Sequence, residues 1–248
     1  SYILGLHGPS VSCATACSAA LTACHAGMRA LQMDECGHVL LAGVNLILLP
    51  RPSMNFAVAG MTSVRGRCHT FDNRADGYVR GEACIGVALQ RSEDRTKLGL
   101  LGSAVRQDGR SASLTAPNGK AQQGLLTAAL SDASTTAGAL VLNEAHGTGT
   151  PLGDPTEVRA LSQALPAEHV ALQGVKGNVG HLEPAAGMVG LMAAASTLLE
   201  EQMAPNPQLR KLNPHLASSV GTRLFPLAAA AALHMVESNA VGVSSFGY

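Results

Sequence analysis

The sequence predicts an α/β layered domain with largely buried strands. Three observations lead there. Short β-rich apolar runs alternate with apolar segments of helix length. The strand-length runs are close to continuously apolar, as in strands covered on both faces. Hydrophobic residues make up 46% of the chain and charged residues 14%, a balance that builds a packed core and argues against disorder. At 248 residues the chain suits one large domain or two small ones.

Taken in order, residues 16–33 are rich in small side chains and predict a helix. Residues 38–44 (HVLLAGV) predict a buried strand, and residues 84–90 and 98–105 two more, separated by a charged turn at 91–97. A helix is expected over 119–132, a strand over 139–143 and a helix over 154–165. A strand over 170–175 is followed by a long apolar helix over 183–201, and residues 239–244 form a last short strand. Pro205, Pro207 and Pro214 make residues 203–216 a loop with at most one short turn of helix. No Gly/Ser or Pro-rich linker divides the chain, and no repeat has a period of 20 to 50 residues.

Charge and cysteine usage exclude several classes. Seventeen basic residues balance seventeen acidic ones, so there is no basic surplus for nucleic acid and no charged tail. The longest apolar stretch, residues 185–199, is shorter than the roughly 20 residues that span a bilayer, so no membrane association is expected. The six cysteines, Cys13, Cys17, Cys24, Cys36, Cys68 and Cys84, include no CxxC pair. They read as reduced and mostly buried, and a zinc site from Cys13, Cys17 and His25 is set aside for want of paired-knuckle spacing. There is no leader pattern and no initiator Met, so Ser1 to His7 read as the continuation of a longer chain, with an intracellular, cytoplasmic or plastid location expected.

Three segments carry chemistry. In GPSVSCATACSAALTACH, Cys17 stands at a predicted helix start, where the helix dipole favours the thiolate and outward N–H groups can hold an oxyanion. The competing reading is a small packing residue, which is how Cys13 and Cys24 are read. In EAHGTGTPLGDPTE, His146 follows a buried strand, Thr148 and Thr150 add hydroxyls, and Gly147 and Gly149 would let a ligand approach the backbone. In VKGNVGHLEPAAG, Lys176 and His181 occupy a second glycine-rich loop after a strand. One such histidine is usually a surface or cap residue; two, with a cysteine at a helix start, shift the balance. His7, His25, His38, His69, His169, His215 and His234 lack that setting. A thiolate accepts an acyl group from a thioester, two imidazole N–H groups stabilise an enolate, and a lysine holds the local field.

TACSAAL around Cys17, HGTGT from His146 to Thr150 and KGNVGH from Lys176 to His181 resemble, in order and spacing, the three signature blocks of β-ketoacyl synthases. FDNRADGYVRGE (71–82), GSAVRQDGRSASLTAPNGKAQ (102–122), GDPTEVRAL (153–161) and GVSSFGY (242–248) extend the resemblance over essentially the whole chain, and QDGRS…LTAPNG is closest to modular, type I polyketide synthases. The resemblance implies a thiolase-like fold of five layers, α-β-α-β-α. The start of the N-terminal half and the extreme C-terminus would be missing. Residues 1–95 would be the remainder of the N-terminal half and residues 96–248 the C-terminal half. It implies an acyltransferase of the 3-oxoacyl-[acyl-carrier-protein] synthase type, in polyketide or fatty-acid biosynthesis. Cys17 would be the acyl-accepting nucleophile. His146 and His181 would be the decarboxylation and enolate pair, and Lys176 their support. Thr148 and Thr150 would hold the phosphopantetheine arm. The backbone N–H groups of Cys17 and Tyr248 would form the oxyanion hole, with Tyr248 replacing a Phe gate. Asp154 and Glu157 would be structural.

No cofactor of its own is implied. The substrate would arrive on the 4'-phosphopantetheine of an acyl carrier protein, and the completed domain would be a homodimer, so this piece alone is expected to be poorly active. Ala14, Gly177, Pro184, Cys84 and Arg106 depart from the pattern and bear on loop geometry, but none removes a reacting group. A thiolase-like starter enzyme would carry Asn or a second Cys as its third group. A docking relative would have lost Cys17 or His146, and a papain-like hydrolase would show a Cys-His-Asn signature.

Overall fold

The computed structural model describes residues 1–92, 98–111, 113, 116–165, 169–220, 224–233 and 239–247. A short 3₁₀ turn, Ala16–Ser18, leads into α1 (Ala19–Gln32). Strand β1 (His38–Asn45), α2 (Pro50–Val58) and β2 (Ala83–Gln90) follow. Then come α3 (Gly119–Asp132), β3 (Leu140–Glu144), α4 (Gly153–Ala164), β4 (Val170–Gln173), α5 (Lys176–Val179) and α6 (Ala186–Glu200). Four short strands close the chain: β5 (Gln202–Met203), β6 (Leu224–Pro226), β7 (Ala231–Ala232) and β8 (Ala240–Val243).

The core sheet is parallel, in the order β6-β4-β3-β8. On one side, Val158 and Leu161 of α4 and Leu126 and Leu130 of α3 pack on Leu140, Val170, Leu172 and Leu224. On the other side α6 meets β3 and β8, and α1 lies between α6 and the antiparallel pair β1-β2. Ala20 and Cys24 of α1, Leu41 of β1 and Met188 of α6 share one cluster there. The described residues thus form four layers, α-β-α-β. No described helix covers the outer face of β1-β2, where Leu40 and Val44 are exposed.

Most expected elements are present within a few residues. Three differences have physical reasons. Strands β3 and β4 are buried on both faces, but β1 alternates largely between buried and exposed positions and β2 between half-buried and exposed ones, so neither is a buried strand. Residues 98–105 form no strand. Their polar groups go to side chains instead: Ser103 N–H donates to Asp132 Oδ2 (2.8 Å), Arg29 donates to the Ser103 carbonyl (3.2 Å), and the Ser103 hydroxyl pairs with His25 Nδ1 (2.8 Å). Helix α2 is not expected from the sequence; Pro50 starts it, where the missing N–H costs nothing. All six thiols are free, and only Cys17, Cys24 and Cys68 are buried, so the expected burial fails at exposed Cys84. The charged turn at 91–97, the expected boundary at 95–96 and His234 fall wholly or partly outside the described residues.

Helix α3 begins as its sequence dictates. Asn118 is extended, and its side-chain oxygen accepts the N–H groups of Lys120 (3.2 Å) and Ala121 (3.3 Å). Replacing Asn118 by Ala leaves both donors without that acceptor and is expected to cost about 1 kcal/mol, read as a lower denaturant midpoint at unchanged slope.

Candidate active site

The C-terminal ends of three adjacent parallel strands open onto one crevice, the position at which α/β sheets bind ligands. His146 follows β3, Lys176 and His181 follow β4, and Phe246 follows β8. Cys17 reaches the same crevice from the opposite side, at the turn before α1. Ala16 there takes a left-handed φ of +50°, unusual for a residue with a Cβ, and the sharp bend presents the thiol. The turn is fastened by the Ser18 hydroxyl donating to the Thr15 carbonyl (2.8 Å) and the Ser245 hydroxyl donating to the Cys17 carbonyl (2.7 Å). Gly247 presses on it so closely that a Cβ would run into the Thr15 carbonyl.

The cysteine and the two histidines converge. His181 Nε2 lies 3.0 Å from Cys17 Sγ, across 164 residues of sequence. The rings of His146 and His181 are 5.4 Å apart at 89°. Each imidazole receives a main-chain N–H on Nδ1: Phe246 donates to His146 (3.4 Å) and Glu183 to His181 (3.3 Å). A nitrogen that accepts carries no proton when the ring is neutral, so both rings hold their proton on Nε2. Burial pushes both pKa values well below 6.5, with the positive charge of Lys176 acting in the same direction, so both rings are neutral at pH 7. His181 therefore directs an N–H at the sulfur.

Buried carboxylates shape the loops. Glu157 accepts the N–H groups of His146 (2.7 Å) and Gly147 (2.9 Å). Asp154 accepts those of Gly149 (3.0 Å) and Phe71 (2.9 Å), which supports the structural role expected for this pair. Glu144 accepts the Val175 N–H (2.8 Å) at the head of α5. Burial raises all three, Asp154 to about 6 and Glu144 and Glu157 to about 7, against hydrogen bonds that hold them down. Lys176 is 3% exposed, and its charge lowers each of them.

Two expectations need correction. The helix-start argument puts the Cys17 pKa below its ordinary value, yet burial pushes the thiol from 9.0 up to about 11, with Lys176 opposing and Glu183 adding to the rise. That rise is worth about 3 kcal/mol, more than the ~0.3–1 kcal/mol a helix terminus supplies. Gly147 and Gly149 do not clear space for a ligand. A Cβ on Gly147 would sit 2.7 Å from Thr70 Cγ2, and one on Gly149 2.8 Å from the His69 nitrogen, so these glycines admit the protein's own segment.

One cavity of about 2290 Å³ touches Cys17, His146, His181 and Phe246. Thr148 and Thr150 line it, with their hydroxyls 3.1 Å apart, and Thr150 also accepts the Gly153 N–H (3.1 Å). Tyr248, expected at the oxyanion hole, is outside the described residues. Of the departures, Pro184 suits the first turn of the 3₁₀ segment Glu183–Ala185. Gly177 faces Pro207 so closely that a Cβ would lie 3.2 Å from its ring. Sequence reasoning missed Glu144, Ser245, Phe246 and the Arg80–Glu183 pair. Glu144 had a signal, a carboxylate ending an apolar strand two residues before His146.

Two family models match the chain: Beta-ketoacyl synthase, N-terminal domain, over residues 1–95, and Beta-ketoacyl synthase, C-terminal domain, over residues 99–210. The chain is 44% identical over 234 residues to a phenolphthiocerol/phthiocerol polyketide synthase polypeptide of Mycobacterium tuberculosis, covering 90% of this chain and 11% of that protein. It is 40% identical over 227 residues to highly reducing polyketide synthase 40 of Fusarium mangiferae, covering 87% and 9%. Among solved structures, an oxazolomycin ketosynthase domain of Streptomyces albus JA3453 superposes with a TM-score of 0.93 at 32% identity, covering 99% of this chain and 45% of that one. The module 6 ketosynthase of the bacillaene synthase of Bacillus subtilis 168 gives 0.93 at 31%, covering 99% and 47%. The chain thus spans about a tenth of these curated relatives and less than half of these solved domains.

With a raised thiol pKa, thiolate is scarce at neutral pH and grows with each step upward. Alkylation of Cys17 by iodoacetamide, followed on its own peptide, is expected to rise about tenfold per pH unit from 7 to 10, with no inflection near 6.5. Lys176→Ala removes the charge that favours the thiolate and is expected to slow alkylation at pH 8 by about threefold or more; an equal or faster rate contradicts this. Asp154→Asn turns an amide N–H toward one of two main-chain donors. A loss of about 1–3 kcal/mol in denaturant unfolding is expected.

Proposed function

This chain belongs to the β-ketoacyl synthase family and has its thiolase-like fold, and from that premise we propose that its site performs acyl transfer to Cys17 followed by decarboxylative Claisen condensation. The observation that carries the reading is the convergence of Cys17, His146 and His181 with both imidazoles held as Nε2–H donors.

The Cys17 thiolate attacks the thioester carbonyl of an acyl group borne on the phosphopantetheine of an acyl carrier protein. The carrier's C–S bond breaks, and its thiol leaves with the proton that Cys17 lost. Burial of the thiol favours this step once the thiolate has formed, because the desolvated anion becomes an uncharged thioester. A malonyl-type thioester on a carrier then enters the same crevice. Its C–CO₂ bond breaks, CO₂ departs, and the electron pair becomes an enolate. The enolate oxygen accepts the Nε2–H groups of His146 and His181, which need not give up their protons to stabilise it. The enolate carbon attacks the acyl carbonyl on Cys17, the oxyanion collapses, and the cysteine thiolate is expelled.

The roles of the other residues follow from position. Lys176 acts through its field on the cysteine, both histidines and the three carboxylates. Thr148 and Thr150 face the cavity where a phosphopantetheine arm would lie. The Cys17 N–H, and that of Tyr248, are assigned to the oxyanion. Homodimerisation is part of the same reading; the exposed apolar residues Leu40, Val44, Leu46, Leu48 and Leu49 on and after β1 support it.

Incubation with an acyl thioester donor is expected to add one acyl mass on the Cys17 peptide, absent in Cys17→Ala, by intact and peptide mass spectrometry. His146→Ala is expected to keep the adduct and to lower malonyl decarboxylation by about 10²-fold or more. A folded protein that takes no acyl group on Cys17 would overturn the assignment.

A further inference from the structure

His181 differs from His146 in what delivers the N–H to its Nδ1. The donor is Glu183, two residues on; Leu182, at φ -90° and ψ 14°, turns the 182–183 peptide back toward the ring, and Glu183 itself adopts φ +48°. A glutamate does not hold a left-handed conformation without support. Its side chain supplies that support, forming a two-pronged pair with Arg80: Nε to Oε1, and Nη2 to Oε2 at 3.0 Å. The pair is well shielded, with side chains 10% and 14% exposed. Arg80 is fixed in turn from α2. The Ser53 hydroxyl accepts from Nη1 (2.6 Å), and the guanidinium lies over the Phe56 ring at 5.2 Å. The main chain completes the clamp, since His181 N–H donates to the Val79 carbonyl (2.7 Å) and Gly81 N–H donates to the His181 carbonyl (2.9 Å).

We propose that the Arg80–Glu183 pair is a positioning device that fixes the His181 tautomer. By anchoring Glu183 through its side chain, it holds the 182–183 peptide in place, keeps the Glu183 N–H on Nδ1 and so keeps the proton of His181 on Nε2, facing the Cys17 sulfur. Released, Glu183 relaxes from its left-handed φ, and the 182–183 peptide is free to reorient and turn its N–H away. Nδ1 can then take the proton, and Nε2 faces the sulfur with a lone pair, as an acceptor. The imidazole would lose the donor on which enolate stabilisation rests, without moving. The device also gives α2 a function. That helix has no buried residue of its own, yet two of its side chains position Arg80. Arg80 and Glu183 are positioning residues, since neither contacts the reacting atoms in this scheme. The inference rests on the donor role proposed above for His181.

The test reads the ring directly. The 248-residue chain, labelled with ¹⁵N-histidine, is examined by long-range ¹H–¹⁵N correlation, with Cys17 acylation measured in parallel. Wild type is expected to show His181 protonated on Nε2. Arg80→Met is expected to lower the Nε2–H to Nδ1–H ratio at least tenfold and to leave His146, held by Phe246, unchanged. Arg80→Lys, which keeps the charge and one prong, is expected to recover most of the wild-type ratio. If Arg80→Met does not fold, Glu183→Gln, equal in size and lacking the charge, is read in the same way. An unchanged His181 signature in the folded variant overturns the proposal and leaves the pair a structural staple. Absence of a Cys17 acyl adduct in wild type, with the tautomer shift still present, would sink the functional reading and leave the positioning device standing.

Discussion

Buried carboxylates accepting main-chain N–H groups are the constraint on which the site depends. The loops after β3 and β4 are rich in glycine and have few ladder partners, so their donors need acceptors inside the protein. Glu157 and Asp154, on the first turns of α4, take three of them, and Glu144 takes a fourth. Hydrogen bonds to a charged acceptor are worth about 1.5–3 kcal/mol each, enough to offset much of the cost of burying an ionised carboxyl. The remaining cost shows as pKa values raised to about 6 or 7. Asp154 also ties the HGTGT loop to Phe71, a buried aromatic at φ +63°, so that loop and the 68–72 segment hold one another.

Lys176 balances this arrangement electrostatically. It is buried among three carboxyls, two histidines and a thiol, and it shifts each toward its less protonated form. For the histidines this reinforces burial and keeps them neutral. For Cys17 it opposes burial. One charge thus serves two ends: neutral imidazole donors and a more accessible thiolate. A second charged group, Glu183, acts on Cys17 in the opposite direction, and its pairing with Arg80 bears on both its charge and its backbone.

The histidines show why main-chain geometry carries as much chemistry as side-chain identity. An imidazole is donor or acceptor according to what its other nitrogen meets. Here both second nitrogens meet an N–H, one from the segment after β8 and one from a strained residue before α6. The proposed enolate chemistry needs both rings as donors, and nothing in an imidazole itself chooses that tautomer.

The candidate residues were legible in the sequence because each lies in a short segment whose pattern is local. Cys17 precedes a helix of small residues, and His146, Lys176 and His181 follow apolar strands. The buried strands were legible for the same reason, since β3 and β4 begin with apolar runs, Leu140 to Leu142 and Val170 to Leu172. What depended on distant parts of the chain was not. The thiol pKa is set by burial beneath residues 245–247 and beside His181, so the local dipole argument gave the wrong direction. Gly147 and Gly149 face residues 69 and 70, and residues 98–105 are held by Arg29 and Asp132, so neither outcome is written nearby. Residue types and short-range periodicity by themselves determined which groups could react. Tertiary structure decided their protonation, tautomer and mutual distance, because those depend on desolvation and on donors far away along the chain.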